Sequence, residues 1–109
     1  MNRVFKAIAD PTRRRVLELL KEGPLTAGAL SDHFPVSKPT MSAHFAVLQE
    51  AGLIDSEKSG RVVLYRVRMS VLEDALLGFA GALGLQMEAD EGRAAGTRRK
   101  KPRLRKRKV

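Results

Sequence analysis

Two short polar runs hold the residues best suited to contact a charged ligand: Ser37-Lys38-Pro39-Thr40-Met41-Ser42-Ala43-His44 and Lys58-Ser59-Gly60-Arg61. The first mixes hydroxyls with an ammonium group where a helix begins, the end whose orphan N–H groups and macrodipole favour anions. Small hydroxyl side chains there can hydrogen-bond phosphate oxygens or base edges in a major groove, or simply cap and solvate a surface helix. The second run sets two cations on a tight turn. Arg61 can enter a minor groove or grip phosphate, and the alternative is an ordinary charged turn. His44 either reaches a phosphate or sits half-buried as a spacer. His33 has no His or Cys neighbour and no adjacent carboxylate except Asp32, so it reads as a structural or solvated residue.

Catalytic and metal chemistry find little to work with. The 109 residues contain no Cys and two His, which removes thiolate nucleophiles, disulfides and zinc knuckles and leaves any metal site to carboxylates. No paired carboxylates form a recognisable constellation, and no Gly-rich phosphate loop joins a strand to a helix. An enzyme is therefore not expected, and neither a cofactor nor a metal. No apolar run approaches a membrane span and the first residues lack a signal-peptide core, so a soluble, cytoplasmic chain is expected.

The formal charge of +9 is unevenly placed. Residues 1–68 carry 11 basic and 7 acidic groups, residues 69–91 carry no basic and 5 acidic groups, and residues 92–109 carry 10 basic and no acidic groups. The high net charge thus belongs to the last eighteen residues and says nothing about whether the preceding part touches phosphate. That last segment has too little apolar area to offset its ordering entropy and reads as a disordered basic tail, residues 92–109, after a domain of residues 1–91. Attraction to phosphate ranks first among its uses, folding back on the acidic 69–91 segment second, and acidic lipid headgroups third.

Periodicity supplies the elements that must position the two runs. Val4, Phe5 and Ile8 make a short amphipathic helix. Asp10-Pro11 starts a second one to about Glu22, with Val16, Leu19 and Leu20 on one stripe, Leu17 at its edge and Arg13, Arg14 and Arg15 in the first turn. Those arginines can lie against phosphate, but they oppose the local helix dipole and a solvated face is the plainer use. Thr26 caps a short helix that stops at Phe34-Pro35. Ser37 caps another in which Met41, Phe45 and Leu48 form the buried stripe up to Ala51-Gly52. Strand alternation over Leu53–Lys58 and Arg61–Arg68, about Ser59-Gly60, predicts a β-hairpin with a basic tip. Ser70-Val71-Leu72-Glu73 reads as a capping box opening a last helix to about Met87–Asp90, with Leu72, Leu76, Phe79 and Leu83 at helical spacing.

This order of elements is that of a mostly α winged helix-turn-helix with a two-stranded wing. The segments Ala9-Asp10-Pro11-Thr12-Arg13-Arg14-Arg15-Val16-Leu17-Glu18-Leu19-Leu20, Ser37 to Ile54, and Gly60-Arg61-Val62-Val63-Leu64-Tyr65-Arg66-Val67 resemble the ArsR/SmtB family of bacterial repressors over residues 3 to about 80. Val4-Phe5-Lys6-Ala7-Ile8 and Thr26-Ala27-Gly28 are most similar to its SdpR-like branch. The resemblance implies double-stranded DNA as partner and a phosphate contact for His44. It also implies a homodimer formed through the first and last helices, with Val4, Phe5, Ile8, Leu76, Phe79 and Leu83 at the interface. Ala43 departs from the longer polar or basic residue of many relatives. Metal-sensing relatives use Cys near the recognition helix or Asp, His and Glu on the last helix, and neither set is present here.

A sequence-specific repressor is therefore expected, with Ser37, Lys38, Thr40, Ser42, Ala43, His44, Lys58 and Arg61 at the DNA. The rival expectation is a nucleoid-type or interaction module that binds nucleic acid without sequence preference.

Overall fold

The structure, a computed structural model, describes residues 2–86. Helix α1 (Asn2–Ile8) turns through Ala9 and Asp10 into α2 (Pro11–Lys21). Asp10 starts α2 because its extended backbone lets the carboxylate accept N–H bonds from Thr12 at 2.7 Å and Arg13 at 3.1 Å, and Pro11 has no N–H to satisfy. Burial pushes the Asp10 carboxyl up. The backbone donors of Arg13 and Thr12, with the electrostatic influence of His44 and Arg13, outweigh it and hold the group below its ordinary value.

After α2 come a two-residue strand, β1 (Leu25–Thr26), and α3 (Ala27–Ser31), capped by Thr26 Oγ1 accepting from the Ala29 N–H at 3.1 Å. Helix α4 (Lys38–Glu50) starts at its Ser37 cap and closes where Gly52 takes φ 78° and the Leu53 N–H donates to the Leu48 carbonyl at 3.0 Å. Only glycine adopts that left-handed geometry without a steric cost. Strands β2 (Ile54–Ser59) and β3 (Val62–Val67) form the hairpin, and α5 (Met69–Ala82) follows. The sheet order is β1-β3-β2, antiparallel throughout, with Ile54 opposite Val67, Ser59 opposite Val62 and Leu25 opposite Tyr65.

The chain divides into two compact units, the first ending at Gly78 and the second starting at Phe79. In the first, Val16, Leu20, Leu30, Met41, Leu48, Leu53 and Ile54 are fully buried and come from α2, α3, α4 and the start of the hairpin. Val4 and Ala7 of α1 and Ala75 of α5 join the same core.

Several boundaries differ from the sequence reading. The two-stranded wing gains a third strand, because Leu25 and Thr26 lie along the otherwise open edge of β3. On α2 the buried residues are Val16, Leu17 and Leu20, and Leu19 is only half-buried, which rotates the stripe toward Leu17. Helix α3 gives way after Ser31 to a tighter turn in which the N–H groups of His33 and Phe34 reach the carbonyls of Leu30 and Ser31, both at 3.1 Å. Helix α5 begins at Met69, so Ser70 lies inside it and does not open a capping box. Its end is Ala82, short of the expected Met87–Asp90. Gly84 at φ 76° lets the Leu85 N–H close on the Ala80 carbonyl at 2.8 Å and its own N–H on Gly81 at 3.1 Å, which satisfies the last turn and stops the helix. The expected tail, residues 92–109, and the expected domain end at residue 91 lie outside the described residues.

Replacing Asp10 by Ala should cost about 1 kcal/mol of unfolding free energy, as for other N-caps, measured by urea titration at fixed protein concentration. Because the folded carboxyl titrates below its ordinary value of 3.8, the wild-type advantage should be complete above that pH and shrink as the pH falls through the lowered value.

Candidate nucleic-acid interface

The rotation of α4 about its axis decides what it presents. Met41, Phe45 and Leu48 are buried to 0 %, 3 % and 0 % exposure, which leaves Lys38, Thr40, Ser42 and Ala43 in solvent and His44 half-buried at the edge. The aromatic ring of Phe45 lies 4.8 Å from that of Tyr65 on β3, tilted by 41°. Gln49 donates to the Ser56 hydroxyl of β2 at 3.0 Å. These two ties hold the hairpin beside α4. Burial at this contact also pushes the Tyr65 hydroxyl up from its ordinary value.

The hydroxyls at the start of α4 divide their work. Ser37 accepts from the Thr40 N–H at 3.3 Å and donates to Thr40 Oγ1 at 2.9 Å, so it is committed to the cap. Thr40 keeps its own O–H for an outside acceptor, and Ser42, one residue on, is exposed. Lys58, Ser59 and Arg61 are exposed on the hairpin, where Gly60 takes φ 61° in the turn between Ser59 and Val62. Among the described residues neither Lys58 nor Arg61 is ion-paired. Arg66 instead meets Glu57 at 2.7 Å and Arg68 meets Asp55 at 3.4 Å, exposed pairs of little energetic weight.

The arginine run behaves differently from a solvated face. Arg13 donates through Nε to the Ala7 carbonyl at 2.6 Å and through Nη2 to the Lys6 carbonyl at 3.0 Å, and its Nη1 lies 3.1 Å from His44 Nδ1. Arg14 donates to the Ile8 carbonyl at 2.8 Å. Two of the three arginines thus donate to the carbonyls that end α1, of which that of Lys6 also accepts from the Ala9 N–H at 3.3 Å, and the third, Arg15, pairs with Glu18 at 2.8 Å. The mild cost of cations at the start of α2 is offset because the same groups complement the negative end of α1. Only two residues, Ala9 and Asp10, separate the end of α1 from the start of α2, which brings these arginines within reach of the α1 carbonyls. His33 is exposed, and no group of three metal-ligating side chains occurs among the described residues.

A short helix, a turn and a second helix with hydroxyls at its exposed N-terminal end, flanked by a basic β-hairpin, define a winged helix-turn-helix domain. Residues 8–57 match the family described as a helix-turn-helix domain. Over 76 residues the chain is 46% identical to the transcriptional repressor SdpR of Bacillus subtilis (strain 168), a match that covers 70% of this chain and 84% of that one. It is 33% identical over 73 residues to an arsenical resistance operon repressor of Staphylococcus xylosus, covering 67% and 70% of the two chains. The crystal structure of an ArsR family transcriptional regulator superposes with a TM-score of 0.71 at 32% identity, over 76% of this chain and 91% of that one. The chain belongs to the ArsR/SmtB family of transcriptional regulators and is SdpR-like.

Substitution should separate the two faces of α4. Leu48→Ala should cost about 2–5 kcal/mol of unfolding free energy, whereas Ser42→Ala should stay within about 0.5 kcal/mol, both read from urea melts.

Proposed function

We propose that the protein is a sequence-specific, DNA-binding transcriptional repressor that acts as a homodimer in the cytoplasm, on the nucleoid. The observation that carries this reading is the exposed start of α4, where Thr40, Ser42 and Ala43 can face base edges, Lys38 can hold phosphate near the helix N-terminus that Ser37 caps, and His44 can donate to a neighbouring phosphate. Lys58 and Arg61 on the wing would grip the flanking backbone or minor groove. Both named relatives are repressors, which supports the same direction of control here.

Dimer formation would place two recognition helices in successive major grooves about 10 base pairs apart. In the first unit Phe5 and Ile8 of α1 and Leu76 of α5 are half-buried, and Val4 backs them from the core. Ile8, Leu17, Leu72 and Leu76 line an apolar groove of about 250 Å³ there. In the second unit Phe79 and Leu83 are 46 % and 60 % exposed. Apolar surface of this kind on both units favours a partner of the same chain. With no Cys in the sequence, the reading includes no metal or thiol sensor, no cofactor and no catalytic role.

The rival reading, nucleic-acid binding without sequence preference, draws on the ten cations of residues 92–109, which would add the same electrostatic attraction on any duplex. Selection from a random duplex pool, followed by competition with bulk DNA at fixed salt, separates the two. A repressor should prefer its selected site by at least about a thousandfold, and a flat profile would leave the non-specific module.

Thr40→Ala and Ser42→Ala should each weaken the selected site by about tenfold or more while changing bulk-DNA binding little; equal losses on both would defeat base readout by α4. Deleting residues 93–109 should lower affinity on every sequence and flatten the salt dependence by about 0.9 in log–log slope per lost phosphate contact. Sedimentation equilibrium should return twice the chain mass, and a monomer that still binds its site would refute the paired arrangement.

A further inference from the structure

Arg13 holds three acceptors at once. Its Nε and Nη2 close on the Ala7 and Lys6 carbonyls at 2.6 and 3.0 Å, and Nη1 faces His44 Nδ1 at 3.1 Å. A guanidinium has donors only, so the ring nitrogen opposite it must accept. A proton on Nδ1 would point one N–H at another across 3.1 Å. The imidazole proton is therefore on Nε2, and among the described residues no protein atom accepts it. His44 sits half-buried at the edge of α4, two residues beyond exposed Ser42.

We infer that Arg13 is a positioning residue for DNA binding: anchored on the end of α1, it fixes His44 as the Nε2–H tautomer and aims that uncharged donor at a DNA phosphate oxygen. The inference rests on the proposed DNA-binding role of α4. It separates His44 from the lysines and arginines of the surface, because a neutral donor contributes a hydrogen bond without releasing a counterion. It also makes the ring orientation a property of α1 and α2, outside the recognition helix itself, as second partners of functional histidines set the tautomer elsewhere.

The test uses the full 109-residue chain in two arms. In the first, long-range ¹⁵N–¹H imidazole spectra are taken without DNA at pH 7.5, with His33→Gln to assign the two rings. His44 should show a single Nε2–H tautomer that becomes a tautomer average in Arg13→Met. An Nδ1–H tautomer, an imidazolium or an average in the wild type would overturn the assignment. In the second arm the probe is a 30-base-pair duplex recovered by the wild type from a random pool. His44→Ala should weaken it about tenfold, the worth of one hydrogen bond to a charged acceptor, with the salt slope unchanged. Arg13→Met should cost a similar factor in the wild type and almost nothing further in His44→Ala.

Additive losses would mean that Arg13 acts independently of His44, and a slope reduced by about 0.9 per His44 would mean a charged contact; either result overturns the inference. If the wild type recovers no duplex, the DNA reading itself fails, while the tautomer spectrum judges the Arg13–His44 assignment separately.

Discussion

The interface depends on which way α4 is turned. A helix offers its neighbours a new face every 100° or so, and the burial of Met41, Phe45 and Leu48 selects one orientation by placing three large apolar side chains against α2, α1 and the hairpin. Any other rotation would expose part of this stripe, at about 1.5–3 kcal/mol for each large side chain left in water. The hydroxyls of Thr40 and Ser42 are outward as a consequence. Site geometry here is a by-product of core formation, and the exposed surface of α4 is free to vary as long as the stripe is kept.

The second constraint is electrostatic and joins the N-terminal helices. A helix that ends where another begins brings a negative carbonyl end next to a positive amide end, and both need partners. Asp10 answers the amide end of α2, and Arg13 and Arg14 answer the carbonyl end of α1. Asp10 and the arginines three and four residues after it thus close one corner from both sides. The third nitrogen of Arg13, Nη1, lies against His44, so this corner also touches α4.

The wing shows how a small sheet can be held without a large core of its own. Its solvent face carries cross-strand ion pairs that contribute little, and its inner face depends on the Phe45–Tyr65 contact and the Gln49–Ser56 hydrogen bond to α4. The third strand, Leu25–Thr26, covers an edge of β3 that would otherwise present unpaired backbone groups. The cations of the tip stay outside this network, and for that reason they remain available to an anionic partner.

Most elements could be read from the sequence because their signals are local. Asp10-Pro11, Thr26 and Ser37 cap helices through bonds spanning two or three residues, Gly52 and Gly60 take left-handed geometry in place, and the alternation of Val63, Tyr65 and Val67 reports one half-buried face. The sequence alone therefore determined the class of fold, the outward set on α4 and the basic hairpin tip. Tertiary structure decided what depends on distant groups: the pairing of Leu25–Thr26 with β3, the turn of α2 that buries Leu17 in preference to Leu19, and the employment of Arg13 on α1 and His44. The reason is physical. A cap or a turn is satisfied by atoms a few residues away, whereas an arginine's five donors and a strand's open edge are satisfied by whatever the folded chain brings within about 3 Å, and no local pattern encodes that meeting.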